Sequence, residues 1–250
     1  MRQTQPLTTH HPLLTAGCEM DLDLNSDLGE GCGLDAELMP LVTSANICCG
    51  FHAADAATAH VALKLAARHT VQVGAHPGYA DREHFGRREL ALSEEAIYEL
   101  CLFQVGALAG LAKAVGVHLR YIKPHGALYN QACRDDAFAR PVMAAAAILR
   151  LPVVGLPGSR LAALCQTGSG FIPEGFADRR YRPDGALVPR DQSDAFVHDV
   201  DEAVAQADWL MRERGIRTLC VHGDNPRAVE FVRSLRDAFT RRGISLRAFA

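Results

Sequence analysis

The sequence predicts an α/β fold in which parallel strands close into a barrel and helices pack outside it. Two observations carry this. Short apolar runs alternate with helix-length segments, the pattern of strands joined by helical crossovers. Polar, reactive residues then gather at the ends of those runs, as they do where strand ends share one mouth. Asp27 and Glu30 belong to MDLDLN and the loop after it, Asn46 and His52 to LVTSANI and its loop, and His76 follows TVQVGA. Lys123 and His125 follow VHLRYI, Glu174 follows GSGFI, and His222 and Asp224 follow RTLCV.

The strand candidates are 20–24, 42–47, 71–75, 118–123, 152–155, 170–173, 217–222 and 244–249. Between them, Asp55 caps a helix running to about His69. Ser93, followed by Glu94 and Glu95, opens another that runs towards Gly116, with an apolar stripe that is regular if Gln104 is discounted. Pro141 marks a helix start or kink within 135–150. Asn225-Pro226 starts a last helix, which Gly243 ends.

The bulk numbers narrow the classes. A chain of 250 residues that is 48% hydrophobic is enough for one large core. A net charge of −3 lacks the basic footprint of a nucleic-acid binder. No apolar run reads as long enough to span a bilayer, so no membrane partner is expected. Eight cysteines without a C-x-x-C pair fit a reduced, cytoplasmic chain with small buried thiols. Residues 1–19 lack the patterning of the rest and read as a loose N-terminal extension; residues 20–250 read as one barrel domain.

Two stretches, 76–90 and 174–195, are long, polar and rich in Arg, Asp, Gly and Pro, and read as binding loops or lids. In β-strand alternation Asp23 and Asn25 point one way, towards the interior or the mouth, and Asp27 and Glu30 follow in the loop. Clustered carboxylates split their pKa values and serve as acid and base; a single one more often bonds its own backbone. His52 and His76 occupy matching places after successive strands. Lysine occurs only at 64, 113 and 123. Pro124 biases Lys123 to extended backbone, aiming a compact cation at a phosphate or oxyanion; the competing reading is a buried ion pair. Arg179, Arg180 and Arg182 offer forked donors for a carboxylate, although alternation keeps them from all facing inward. No compact metal motif and no nucleotide-binding glycine loop is present. No residue is assigned to a metal.

Six blocks in order are together diagnostic: DLNSDLGEGCG (23–33), SANICCGFHAADA (44–56), VGAHPGYADREHFGRR (73–88), YIKPHGALYN (121–130), EGFADRRYRPDGALVPR (174–190) and CVHGDNPRAV (220–229). They closely resemble the LamB/YcsF family, described as the A component of the bacterial 5-oxoprolinase. The resemblance implies a barrel of about seven parallel strands of the glycoside hydrolase/deacetylase type. It also implies ATP-dependent cleavage of 5-oxo-L-proline to L-glutamate, partner subunits B and C, and a divalent cation such as Mg2+ accompanying ATP. Asp27, His52, His76 and Lys123 are then the expected catalytic groups. Asp23, Asn25, Glu30, Asn46, His125, Glu174, Arg179, His222 and Asp224 are the expected substrate- or phosphate-binding groups. The departures from the family pattern remove no polar group: Cys48 stands where alanine is usual, and Ala54 and Ala56 replace the usual glycine and proline. Ala54 is strained if that glycine adopts positive φ. A metal-dependent amidohydrolase or deacetylase acting alone, and a non-catalytic lactam-binding subunit, are the alternative readings.

Overall fold

The computed structural model describes residues 20–165 and 170–249. The N-terminal extension expected at 1–19, with Cys18, lies outside the described residues. Eight strands form in the eight expected places: β1 (Met20–Leu28), β2 (Ser44–Cys48), β3 (Gln72–His76), β4 (Leu119–Ile122), β5 (Val153–Gly155), β6 (Phe171–Phe176), β7 (Thr218–Cys220) and β8 (Ile244–Leu246). The strands pair in parallel, and β1 meets both β2 and β7, so strands one to seven close a barrel. β8 is an addition that pairs with the N-terminal end of β1, Met20 opposite Ile244.

One expectation changes here. β1 does not stop at residue 24 but runs to Leu28, so Asp27 is a strand residue and not a loop residue. The cause is closure: Asn25 to Leu28 are paired along β2, which extends the ladder beyond the apolar run. Alternation then turns Leu22, Leu24 and Leu28 to the helical layer and Asp23, Asn25 and Asp27 inward.

The barrel interior is mostly polar. Its amino end is plugged by a small apolar cluster, Tyr121, Val154 and Ile172, against which Phe249 packs. Gly74 makes room for that plug: a Cβ there would lie 2.0 Å from the Tyr121 ring.

The helices form where caps and apolar stripes predict. α1 (Asp35–Leu38) is a single turn. α2 (Ala56–His69) starts with the Asp55 carboxylate accepting from Thr58 N at 2.9 Å. α3 (Glu94–Ala114) starts with the Ser93 hydroxyl accepting from Ala96 N at 3.2 Å. α4 (Gly126–Arg134) and α5 (Asp136–Leu149) abut, with Pro141 inside α5. α6 (Arg160–Leu164), α7 (Val200–Arg214) and α8 (Ala228–Arg241) complete the layer. α8 begins at Ala228 and not at Asn225-Pro226; Asn225 instead closes a turn by accepting from Arg227 N.

Gln104 does not interrupt the α3 stripe. It is buried within it, accepting from Gly78 N at 3.1 Å and donating to Gly78 O at 2.9 Å. By length and composition α3 would also cross a bilayer, contrary to the expectation that no such run exists. Here it lies along the barrel, burying Ile97, Cys101, Val105, Leu108 and Ala112 and turning Phe103 outward.

Ala54 has φ +50°, the left-handed region expected of the glycine it replaces. Arg82 clamps this turn, donating to the carbonyls of Gly50 and Ala54 at 2.5 and 2.6 Å. An L-residue there costs about 1–2 kcal/mol, partly offset by the lower unfolded-state entropy of alanine. Ala54→Gly should therefore raise stability by about 0.5–1 kcal/mol. Urea denaturation with an unchanged m-value checks this, and a loss of stability would refute it.

Candidate active site

The inward residues of β1, β2, β4, β6 and β7 meet in one hydrogen-bonded network. At its lowest level Asp23 accepts from the Thr43 and Ser44 hydroxyls, each at 2.6 Å, and from the Thr218 hydroxyl. One level up, the Asn25 amide donates to Thr218 at 2.6 Å and to Glu174 at 3.1 Å. Asn46 donates to Asn25 and to Asp27, both at 2.7 Å, and accepts from the Tyr121 hydroxyl at 2.7 Å.

Lys123 joins these levels. Its ammonium is 2.8 Å from Glu174 Oε1, 3.1 Å from Asp27 Oδ1, 3.2 Å from Asn25 Oδ1 and 3.0 Å from Cys220 Sγ. The buried ion pair weighed against a mouth-facing cation is thus what forms, and the side chain still borders the cavity above. Burial works against the Lys123 charge, but Asp27, Cys220 and Glu174 hold its pKa well above the usual lysine range.

Above this lies the acid–histidine layer. Asp27 Oδ2 is 3.4 Å from His76 Nε2, and Glu30 Oε1 is 3.2 Å from His52 Nε2, 3.4 Å from His125 Nδ1 and 3.8 Å from His76 Nε2. His52 and His125 stack with ring centroids 3.7 Å apart. Gly86, at φ +62°, allows this approach, since a Cβ there would lie 2.7 Å from His52 Cβ. Burial alone would raise the Asp27 carboxyl, but His76 and Lys123 bring it well below the usual range. Burial and the Asp27 charge push Glu30 well above it. Burial pushes His52 and His125 well below the usual imidazole range. The two neighbouring carboxyls are thus pushed in opposite directions.

A small cavity of about 50 Å³ opens directly over this layer. Of the residues expected from the sequence, Asp27, His76, Lys123, His125, Arg179 and His222 line it. Asp23, Asn25, Asn46 and Glu174 lie beneath, and Glu30 and His52 lie behind the histidines; these six hold the lining groups in place. Asp224 sits at the rim, 2.5 Å from Arg87 and 3.6 Å from Arg190. His222 is fixed by Asp178, which accepts from its backbone N and lies 3.0 Å from Nδ1. Arg179 is buried, donates to Val188 O and Ala195 O, and has its pKa lowered to about 10 by that burial. Arg180 instead pairs with Glu202 and Arg182 with Asp184, outside the cavity.

Four contributors escaped the sequence reading. Arg87 and Arg190 lie inside the two polar loops, where nothing distinguishes them from neighbouring arginines. Asp178 sits in the FADRRY stretch beside the arginines that drew attention. Cys220 was recoverable, because alternation along β7 with Thr218 and His222 turns it inward. Among the described residues every cysteine is a free thiol.

A second, larger cleft of about 550 Å³ adjoins the first and shares Arg87, Asn130, Arg179 and Arg190 with it. Arg134, Arg182 and Arg214 add to its wall, against the acids Glu89 and Asp184. Six guanidinium groups against two carboxylates give this cleft a predominantly basic lining.

Fold and site together define a parallel β/α barrel with an acid, histidine and lysine cluster at the carboxyl ends of its strands. Similar architecture occurs in a family 4 carbohydrate esterase from Streptomyces lividans in complex with acetate, with a TM-score of 0.54 at 10% identity over 94% of this chain and 95% of that one. It occurs also in the catalytic domain of a peptidoglycan N-acetylglucosamine deacetylase from Eubacterium rectale, with a TM-score of 0.51 at 10% identity over 98% and 94% of the two chains. At such identities only the fold is shared. The chain belongs to the LamB/YcsF family, whose pattern matches residues 22–250. A lactam utilization protein from Thermus thermophilus is similar throughout, with a TM-score of 0.84 at 39% identity over 92% of this chain and 100% of that one.

Asp23 yields a pH prediction. Burial raises its carboxyl from an ordinary 3.8 to about 6, against the hydrogen bonds from Ser44, Thr218 and Thr43. The folded state therefore binds this proton more tightly than the unfolded state does. The stability it contributes is full below about pH 4 and is lost as pH rises through about 6. The difference in Tm, wild type minus Asp23→Asn, should fall across that window; a flat or rising difference would contradict the assignment.

Proposed function

We propose that this chain opens the ring of 5-oxo-L-proline to give L-glutamate, driven by ATP, within an assembly that includes the 5-oxoprolinase subunits B and C. Family membership and the likeness to a lactam utilization protein support the lactam as substrate. The partner subunits rest on family membership alone. The observation that carries the chemistry is the pair of carboxyls flanking His76 Nε2 beneath the cavity, Asp27 Oδ2 at 3.4 Å and Glu30 Oε1 at 3.8 Å, with the pKa of the first pushed down and that of the second pushed up.

A five-membered lactam is an unactivated amide. Transfer of the γ-phosphoryl group of ATP to its carbonyl oxygen makes a good electrophile and releases ADP. The arginine-lined cleft supplies the positive charge that polyphosphate needs, and a divalent cation such as Mg2+ accompanies the nucleotide as part of the substrate. Water then adds to the ring carbon, losing its proton towards Asp27. The C–N bond breaks as Asp27 passes that proton on to the departing nitrogen. The resulting γ-glutamyl phosphate is hydrolysed by a second water to glutamate and phosphate. Lys123, 3.1 Å from Asp27, favours the ionised carboxylate that takes up the first water's proton.

Glutamate formation from 5-oxo-L-proline and ATP, measured with the partner subunits present, tests this. Asp27→Asn keeps the side-chain shape and should lower kcat by about 10²–10⁴. Near-wild-type turnover would remove Asp27 from the mechanism, and ATP-independent glutamate formation would remove the coupling. Lys123→Met is the poorer test, because leaving buried Asp27 and Glu174 uncompensated costs about 3–5 kcal/mol of folding stability. Arg190→Ala should raise KM for ATP by about tenfold or more, the worth of one charge-assisted hydrogen bond. An unchanged KM would move the nucleotide elsewhere.

A further inference from the structure

We propose that Glu30, His76 and His125 form a binding site for one divalent transition-metal ion of the zinc type, with its open position facing the cavity beside Asp27.

The argument starts with tautomers. His76 Nδ1 lies 2.7 Å from the carbonyl oxygen of Lys123, and His125 Nε2 lies 2.8 Å from that of Phe85. A carbonyl oxygen only accepts, so each of these two nitrogens carries its ring's hydrogen. The other nitrogens, His76 Nε2 and His125 Nδ1, then each present a lone pair. They face one another at 2.9 Å. With no positive charge between them, two rings in these tautomers would repel at that distance. The arrangement calls for a cation between them.

The surrounding atoms say which kind. Glu30 Oε1 lies 3.4 Å from His125 Nδ1 and 3.8 Å from His76 Nε2. Three atoms held about 2.0–2.1 Å from a tetrahedral ion lie roughly 3.3 Å from one another. The three separations found, 2.9, 3.4 and 3.8 Å, bracket that spacing. A proton satisfies one pair of lone pairs; these three donors point to an ion that takes three. Imidazole and carboxylate together suit zinc and its neighbours rather than calcium or magnesium. Each histidine also gives its second nitrogen to a backbone carbonyl, the outer contact that fixes a metal-binding imidazole.

His52 is buried in the same cluster but is not a ligand. Its ring is stacked on His125 with centroids 3.7 Å apart and planes 1° from parallel, so the two cannot both aim a lone pair at one ion. It lies 3.2 Å from Glu30 Oε1 and is a positioning residue for that carboxylate. Asp27, His76 and His125 line the cavity, which leaves the fourth position accessible to water or a carbonyl oxygen. An ion there polarises such an oxygen. The site stands independently of the ATP coupling, because it rests on ring tautomers and donor spacing alone.

The test uses the full chain, dialysed against chelator and titrated with Co2+ as a visible probe and Zn2+ as its competitor. The expected result is one equivalent of Co2+ per chain, with d–d bands that Zn2+ abolishes. His76→Ala and His125→Ala should each lose the bands while retaining the far-UV circular dichroism of wild type. His52→Gln should keep the stoichiometry and bind about 10–100-fold more weakly. Imidazole ¹⁵N spectra of the wild type give a second measurement that no folding defect clouds: Zn2+ should shift two histidine nitrogens to metal-bound values. No d–d absorption at equimolar Co2+, or ¹⁵N resonances unmoved by Zn2+, would overturn the site and leave a shared proton between the rings.

Discussion

The Lys123 ammonium is the constraint on which the rest of the structure depends. It is 2% exposed, inside a barrel whose alternate residues are polar. A charge so placed is tolerated only when its partners are in position, and removing one partner costs far more than the intact pair contributes. Its acceptors come from β1, β6 and β7, while Lys123 itself extends from the end of β4. Slipping any of those strands by one residue would turn its acceptor to the helical layer and leave a buried charge unmatched. The ion cluster therefore selects one register for much of the barrel, which apolar packing alone would leave less sharply defined.

That same cluster sets the protonation of the layer above. The Asp27 pKa is held low because His76 and Lys123 flank it, and the Asp27 charge raises that of Glu30 on top of the effect of burial. Neither carboxyl has its character from sequence neighbourhood; each takes it from groups brought in by other strands. Their opposed pKa shifts are consequences of barrel closure.

The architecture was legible in the sequence because it rests on patterns that repeat. Eight apolar runs became eight strands, and Asp55 and Ser93 cap the helices they were expected to cap. The convergence of Asp27, His52, His76 and Lys123 followed from strand-end placement. What was not legible depends on a third dimension. The extension of β1 past residue 24 comes from pairing with β2, which no single segment reveals. Gln104 breaks a hydrophobic stripe on paper, yet it is the residue that ties α3 to the loop after β3. Arg87 and Arg190 are two arginines among many until Asp224 gathers them at one rim.

The two long loops were read as lids or binding loops, and their contacts make them walls. In the first, Gly78 is tied to Gln104, Phe85 O accepts from His125, Gly86 O accepts from Ala127 N, and Arg87 reaches Asp224. Glycine at 78 and 86 lets this backbone close onto the His52–His125 stack, since a Cβ at either position would fall 2.6–2.7 Å from His52. In the second, Gln206 donates to Phe176 O and Arg179 O, and the Arg179 guanidinium holds the carbonyls of Val188 and Ala195. A backbone so pinned cannot swing without breaking several buried hydrogen bonds, each worth about 0.5–1.5 kcal/mol net. Side chains at the rim can rotate at far lower cost. Arg87 and Arg190, half-buried, share the Asp224 carboxylate at that rim. The way to the acid–histidine layer is thus bordered by a pinned backbone and by two guanidinium groups that meet at one carboxylate.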